Sequence, residues 1–275
     1  MEVHGVSSFY EDERASNNIF GDRLAIVNNH AWALPFWLRK LSLHKYKTVN
    51  LVHVDYHSDL GAPYLYQKKS SRYLTDYFTG RDIDFSNINS VEAAISSGAI
   101  PPGGFIAPFL LEYPNTNVYS VFPVEPNLPN TLSCLTSGSW IIRPKGSHIP
   151  GSAGHTLLFE IADKQGCRYT DFRYEALNDD SVTLVLNSDP LILDIDLDFF
   201  SNQMKGCSDW ETEPGWEPDA DTRKQLVCRF EKLLKQIFIN KTPDVITIAL
   251  SEDFCPVSVQ RYVLPRVLDL LKKIV

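Results

Sequence analysis

Nowhere in the sequence do two cysteines come close enough to form a Cys-x-x-Cys pair. The five present, Cys134, Cys167, Cys207, Cys228 and Cys255, are odd in number and scattered. A disulfide framework or a zinc ribbon is therefore not expected, and a reducing cytosol suits such thiols best. No apolar run reaches the ~20 residues that a membrane span needs. Residues 1–18 carry Glu2, Glu11, Asp12 and Glu13 and lack the apolar core of a signal peptide. Basic charge is in deficit as well. The formal net charge of −8 argues against nucleic acid and anionic membrane surfaces as partners. Neither a low-complexity linker nor an internal repeat divides the chain. With 44% hydrophobic and 22% charged residues, the composition is that of a globular protein. Together these features predict a cytoplasmic protein in which residues 1–275 form one domain around one large core.

What is present is an alternation of apolar runs and helical patterns. Residues 49–54, 191–197 and 245–250 read as buried strands, with a shorter one at 24–27. Weaker strand candidates lie at 118–122, 140–143, 156–161 and 182–186. Leu226, Phe230, Leu233, Leu234 and Ile237 recur at helical spacing and predict a helix over 221–238. Further helices are expected over 31–44, with Pro35 near the first turn where proline is tolerated, over 71–78, over 90–97, and over 257–274, bent or broken near Pro265. Residues 101–104 and 121–129 are rich in turn formers, and 201–220 is a loop containing Trp210 and Trp216. Continuous apolar strands alternating with helices predict an α/β fold with a parallel sheet covered on both faces. Such sheets carry their sites at the carboxyl ends of strands. Three segments that end in acidic or histidine-rich clusters, 49–59, 191–198 and 245–253, meet that rule.

The strongest chemical signal is Asp55-x-His57-x-Asp59 directly after an apolar strand. Alternate residues of an extended chain face one side, so the three side chains can converge. Carboxylates and an imidazole together suit a divalent ion such as Mn²⁺, although Asp and Ser also build solvated turns. The second signal is Asp194, Asp196 and Asp198, at period two in a run of Leu, Ile and Phe. Burying several unpaired carboxylates on one face is costly, and a cation is the simplest compensation; an edge strand with one wet face is the alternative. His30, after Asn28-Asn29, and Glu252-Asp253, after the 245–250 strand, are weaker members of the set. Alone, His30 reads as a structural histidine, and the two acids as ordinary helix-start residues before Pro256.

Taken in order, His30, then Asp55-x-His57-x-Asp59, then Asp194-x-Asp196 resembles the ureohydrolases, the arginase and agmatinase group. The segments NNHAWAL (28–34), LVHVDYHSDL (51–60), LILDIDLDFF (191–200) and ITIALSEDFCP (246–256) look closer still to an arginase-related family. Its members in ribosomal peptide biosynthesis are peptide arginases, which convert arginine side chains of a precursor peptide to ornithine and release urea. The resemblance implies a three-layer α/β sandwich with a mainly parallel sheet, of the arginase/deacetylase kind. It also implies two Mn²⁺ ions, bridged by Asp55 and Asp194. His30 and Asp59 would complete one shell, and His57 and Asp196 the other. Asp59 would orient the nucleophilic hydroxide as a catalytic residue. Glu252, with Asp253 beside it, would take the guanidinium.

The departures narrow the substrate. After Asp59, free-arginine arginases keep polar groups for the amino-acid head and a proton-shuttling histidine. Here the stretch reads Leu60-Gly61-Ala62-Pro63-Tyr64-Leu65-Tyr66. A site without partners for a buried α-ammonium and carboxylate rejects free arginine, whereas arginine inside a peptide has neither group. The expected partner is thus an arginine-containing precursor peptide, with a small free guanidino compound as the alternative substrate. A catalytically inactive binding module of the same fold is the non-enzymatic reading. His148 and His155 stand as replacement shuttles or as plain loop histidines. Tyr64, Tyr66, Trp210 and Trp216 line a peptide groove or serve packing. Deacetylase-like enzymes carry a His-His pair that this sequence does not have, and metallophosphoesterase motifs run in the opposite order.

Overall fold

A computed structural model describes residues 20–42, 48–67, 73–122, 131–135, 140–145, 158–163, 190–201, 218–237, 241–252 and 254–273. Among these, six strands form the central sheet. They are β1 (Leu24–Val27), β2 (Val49–Val54), β6 (Thr116–Phe122), β7 (Thr131–Leu135), β10 (Leu191–Asp196) and β11 (Val245–Ala249). Their spatial order is β1-β11-β10-β2-β6-β7. The first five are parallel and β7 pairs antiparallel at the edge. Three short antiparallel strands, β3 (Leu65–Gln67), β4 (Leu74–Asp76) and β5 (Asp82–Ile83), form a second sheet. The hairpin β8 (Trp140–Lys145) and β9 (Leu158–Asp163) forms a third.

The strand sequences explain the layering. Alternate residues of a strand face opposite sides, and here both sides are apolar. Val49, Leu51, Val118, Ile192 and Val245 pack with Leu34, Trp37, Leu38 and Leu41 of helix α1 (Ala33–Leu41). Helices α2 (Ile88–Ser96) and α3 (Ile106–Glu112) add Val91, Ile95 and Phe109 to that layer. On the other face, Val52, Val54, Leu193, Ile195, Ile246 and Ile248 pack against α4 (Ala220–Ile237) and α5 (Val257–Lys272). Leu226, Phe230 and Leu234 of α4 and Val263, Val267 and Leu271 of α5 are the buried contacts there. Each fully buried Leu, Ile or Phe contributes about 1.5–3 kcal/mol, so the two clusters supply the main driving force. The fold is the expected three-layer α/β sandwich with a mainly parallel sheet. No described helix is long and apolar enough to cross a membrane.

Several local expectations need correction. The helix expected over 71–78 is strand β4 followed by a turn. The Asp76 carboxylate accepts hydrogen bonds from the backbone N–H groups of Phe78 and Thr79 (2.7 and 3.0 Å), turning the chain before a helix could form. Helix α3, which follows the Pro102–Gly104 turn, was hidden by the proline and glycines before it. The strand expected over 191–197 ends at Asp196, and Leu197–Phe200 is a 3₁₀ turn. Helix α5 runs through Pro265 without a break. The strand expected at 182–186, His148, His155, Trp210, Trp216 and Asp253 lie outside the described residues.

Candidate metal centre

The carboxyl ends of β1, β2, β10 and β11 converge on one buried cluster of histidines and aspartates. After β1, the Asn29 side chain accepts a hydrogen bond from Ala31 N (3.0 Å) and starts a short 3₁₀ turn over His30–Trp32. That turn buries His30. Strand β2 brings His53 and then Asp55, and the loop beyond carries His57 and Asp59. Strand β10 brings Asp194 and Asp196, and its 3₁₀ turn folds Asp198 back so that its N–H donates to Asp196 Oδ1 (2.9 Å). Beyond β11, the Ser251 hydroxyl donates to Asp196 Oδ2.

Two residues of the cluster hold backbone that L-residues rarely adopt: Asp59 at φ 49° and Ser251 at φ 47°. Such conformations cost about 1–3 kcal/mol each and persist where the surroundings over-determine them. The Asp59 loop is tied by Gly61 N to Gly103 O (2.8 Å), an approach so close that a Cβ at Gly61 would sit 2.4 Å from that oxygen. Ser251 is tied to the β1 end through its N–H to Asn28 O (3.0 Å).

The geometry around His30 is the central observation. Its Nδ1 lies 3.1 Å from Asp55 Oδ2, 2.9 Å from Asp59 Oδ2 and 3.0 Å from Asp196 Oδ2. None of these contacts has the geometry of a hydrogen bond: His30 Nδ1 and Asp55 Oδ2 are both buried without a hydrogen-bond partner. One ring N–H could not serve three carboxylate oxygens in any case. Adjacent ligands of an octahedral divalent ion with ~2.1 Å bonds lie about 3.0 Å apart, which is the spacing seen here. Next to this set, His57 Nδ1 stands 2.9 Å from Asp198 Oδ2 and 3.5 Å from Asp55 Oδ1. Asp55 therefore presents one oxygen to His30 and the other to His57. The donor atoms fall into overlapping groups able to hold ions: His30, Asp55 and Asp59; Asp55, His57 and Asp198; and His30, His53 and Asp194.

The third group differs from the other two. Asp194 Oδ2 accepts well-formed hydrogen bonds from His30 Nε2 and His53 Nδ1, both at 2.8 Å, and Oδ1 accepts one from the Thr247 hydroxyl at 2.5 Å. Asp194 thus meets the far nitrogen of His30, Nε2, whereas Asp55, Asp59 and Asp196 gather at Nδ1.

Five buried carboxylates, Asp55, Asp59, Asp194, Asp196 and Asp198, share this space. Among the described residues, the ion pairs they make are all with histidines. The protonation balance records the excess of negative charge. Burial, joined by the charge of Asp55, drives the Asp59 carboxyl up to about 7. Burial opposes charge on His57, yet hydrogen bonds to Asp198 and Asp55 outweigh it and raise the imidazole to about 11. His30 is likewise raised well above its ordinary value, against burial, by Asp194 and Asp196.

All six expected ligands, His30, Asp55, His57, Asp59, Asp194 and Asp196, come together in the cluster. Two further members were not among them, His53 and Asp198. Glu252 is exposed, in a short segment whose flanks touch the cluster: Ser251 bonds Asp196, and the Phe254 ring packs 5.5 Å from that of His57. At 26% exposure His57 is the most accessible member and marks the open side. Comparison with known proteins finds no family model that matches the chain and no curated protein that does. Fold and cluster together define the class: a mixed α/β protein with buried His and Asp groups that could hold metal ions at the strand ends.

Proposed function

We propose that the protein is a metal-dependent hydrolase of guanidino groups that acts on arginine side chains within a peptide. The observation that carries the metal reading is the convergence of three carboxylate oxygens on His30 Nδ1 at 2.9–3.1 Å without hydrogen-bond geometry. His30, Asp55, Asp59 and Asp196 would hold one ion, and Asp55, His57 and Asp198 the other, with Asp55 between them. This moves the acidic pair two residues along from the sequence expectation, from Asp194 and Asp196 to Asp196 and Asp198. It leaves Asp194 with the hydrogen bonds described above. Oxygen-rich shells with one imidazole each favour Mn²⁺ among the common divalent ions. When bound, such a pair supplies Lewis acidity and an activated water for hydrolysis.

The chain's own groups would do the rest. Asp59 would accept a hydrogen bond from the attacking water and orient it. Glu252, exposed beside the open side, would take the cationic guanidinium through charge-assisted hydrogen bonds. The substrate preference rests on the segment after Asp59. Leu60, Pro63 and Leu65 are buried and Tyr64 is exposed, so this stretch offers no charged partner for the head group of a free amino acid. The likeness of four segments to the arginase-related family supports the same reading.

The test is incubation of the Mn²⁺-loaded protein with an arginine-containing peptide and, separately, with free arginine. Loss of about 42 Da per arginine (CH₂N₂) from the peptide, with urea released, is the expected result. Turnover of free arginine alone would shift the reading to a small guanidino substrate. Metal uptake without either reaction would favour the binding module.

A further inference from the structure

The sheet register sets one polar row across four strands, just behind the cluster. Thr247 of β11 is paired with Asp194 of β10, Asp194 with His53 of β2, and His53 with Ser120 of β6. Register partners in parallel strands project from the same face. The face is that of α1, and Trp37 from this helix donates its Nε1–H to Thr247 Oγ1 (3.1 Å). Thr247 passes its own hydroxyl proton toward Asp194 Oδ1 (2.5 Å), and Asp194 Oδ2 receives His30 Nε2 and His53 Nδ1 (2.8 Å each). Trp37, Thr247, Asp194 and His53 are all wholly buried. A continuous chain of hydrogen bonds thus runs from a helix, through Thr247 and Asp194 of two strands, to the far nitrogen of His30, with His53 of a third strand joining at Asp194. The His30 ring is also held by stacking: His53 lies 5.5 Å away at 24°, and Phe105 at 4.7 Å.

We infer that Asp194 is a positioning residue, anchored by Thr247, Trp37 and His53, that fixes the tautomer and orientation of His30 so that Nδ1 presents its lone pair to a divalent ion. This rests on the metal reading of the preceding subsection. The physical argument is one of tautomers. A histidine that donates from Nε2 keeps its lone pair on Nδ1, and a carboxylate on the outer nitrogen both orients the ring and strengthens it as a ligand. A Trp–Thr–Asp chain makes the arrangement rigid, because each partner has one role left once its neighbour is set. The Trp37 N–H can only donate; Thr247 then accepts it and donates onward; Asp194 can only accept. Such a residue differs from a ligand in a measurable way. Losing a ligand removes an ion, whereas losing a positioning group weakens the ion's binding and leaves the count unchanged.

The test is calorimetric titration of the full chain with Mn²⁺ alone, with thermal unfolding of the metal-free protein as a check on folding. Asp194→Asn is expected to bind as many ions as wild type, with affinity lowered roughly 10–100-fold. Because a buried change at Asp194 can disturb folding, the Thr247 pair is the second arm. Thr247→Val keeps the shape and loses the hydroxyl, and is expected to weaken Mn²⁺ binding. Thr247→Ser keeps the hydroxyl and loses the methyl, and is expected to bind as wild type. A lower ion count in Asp194→Asn, or equal affinities for Thr247→Val and Thr247→Ser, would overturn the inference. Wild type that takes up no Mn²⁺ would remove the metal reading itself, a result distinct from both.

Discussion

At the scale of single residues, the cluster is organised by where each lone pair and proton must go. Asp55 offers Oδ2 to the His30 side and Oδ1 to the His57 side, and so belongs to both halves. The Asp198 carboxylate lies in the His57 half, where its Oδ1 also accepts the Tyr56 N–H at 3.2 Å. Asp198→Ala is accordingly expected to lower Mn²⁺ uptake from two ions per chain to one, as read by metal analysis of the dialysed protein. Loss of both ions would place Asp198 in the bridging role. Gly103 is a different kind of residue. A Cβ there would meet nothing within 4 Å except Asp59 Oδ1, at 3.9 Å. A Gly103→Val side chain would therefore lie against the Asp59 carboxylate, and its expected effect is at least a tenfold loss of turnover with a folded chain of normal far-UV circular dichroism. Unchanged turnover would show that substrate approaches from elsewhere.

Much at this scale was legible in the sequence, and the exceptions are instructive. The period-two rule that singled out Asp55, His57 and Asp59 applies equally to His53, one step earlier in the same strand. Its neighbours Leu51, Val52 and Val54 gave that stretch the look of a plain apolar strand. Asp198 was grouped with Asp194 and Asp196 as part of one extended strand. The strand stops at Asp196, and the 3₁₀ turn that follows redirects Asp198 through its N–H to Asp196 Oδ1. No strand periodicity could have told which of three equally spaced acids turn toward His30 Nδ1 and which toward His57. The hydrogen bonding of Asp194 with Thr247, His30 and His53 depends on cross-strand register, which a single sequence does not contain.

At the scale of elements, long apolar strands and the amphipathic helix α4 were readable because pattern and tertiary environment agree. The region after Asp59 was not, because its structure is made by side chains that cap backbone. Asp76 shows this most clearly. Its Oδ1 takes the N–H groups of Phe78 and Thr79, its Oδ2 takes the Ser97 hydroxyl (2.6 Å), and Gly80, at φ +69°, closes the turn into β5. Burial opposes the charge on Asp76, yet these hydrogen bonds outweigh it and hold the carboxyl below its ordinary value of 3.8. A carboxyl depressed in the folded state adds stability above its unfolded pKa and loses it as pH falls through the folded value. Asp76→Ala is therefore expected to cost about 1–3 kcal/mol at neutral pH. The gap from wild type should narrow below the usual carboxylate range, in urea unfolding followed from pH 7 downward. A gap independent of pH would mean that the ionised form of Asp76 contributes nothing. Gly61→Ala belongs at this scale too. Its Cβ would press on the Gly103 carbonyl, where overpacking costs about 1–3 kcal/mol and loosens the Asp59 loop.

At the scale of the whole molecule, five parallel strands end at one rim, and the rim gathers more negative charge than the protein neutralises. A divalent ion that binds only the folded chain stabilises it by about 2.7 kcal/mol at a hundredfold excess over Kd. With a shift of roughly 2–4 °C per kcal/mol for a domain of this size, saturating Mn²⁺ should raise Tm by several degrees. Excess chelator should reverse the rise. An identical Tm with metal and with chelator would speak against a site formed on folding.

The account's central claim is that carboxylates gathered around His30 and His57 hold a pair of ions through Asp55. Mn²⁺ bound per chain, measured by titration of wild type and of Asp55→Ala, tests it most directly. Two ions for wild type and essentially none for Asp55→Ala are predicted. Wild type without bound metal, or Asp55→Ala with undiminished uptake, would contradict it.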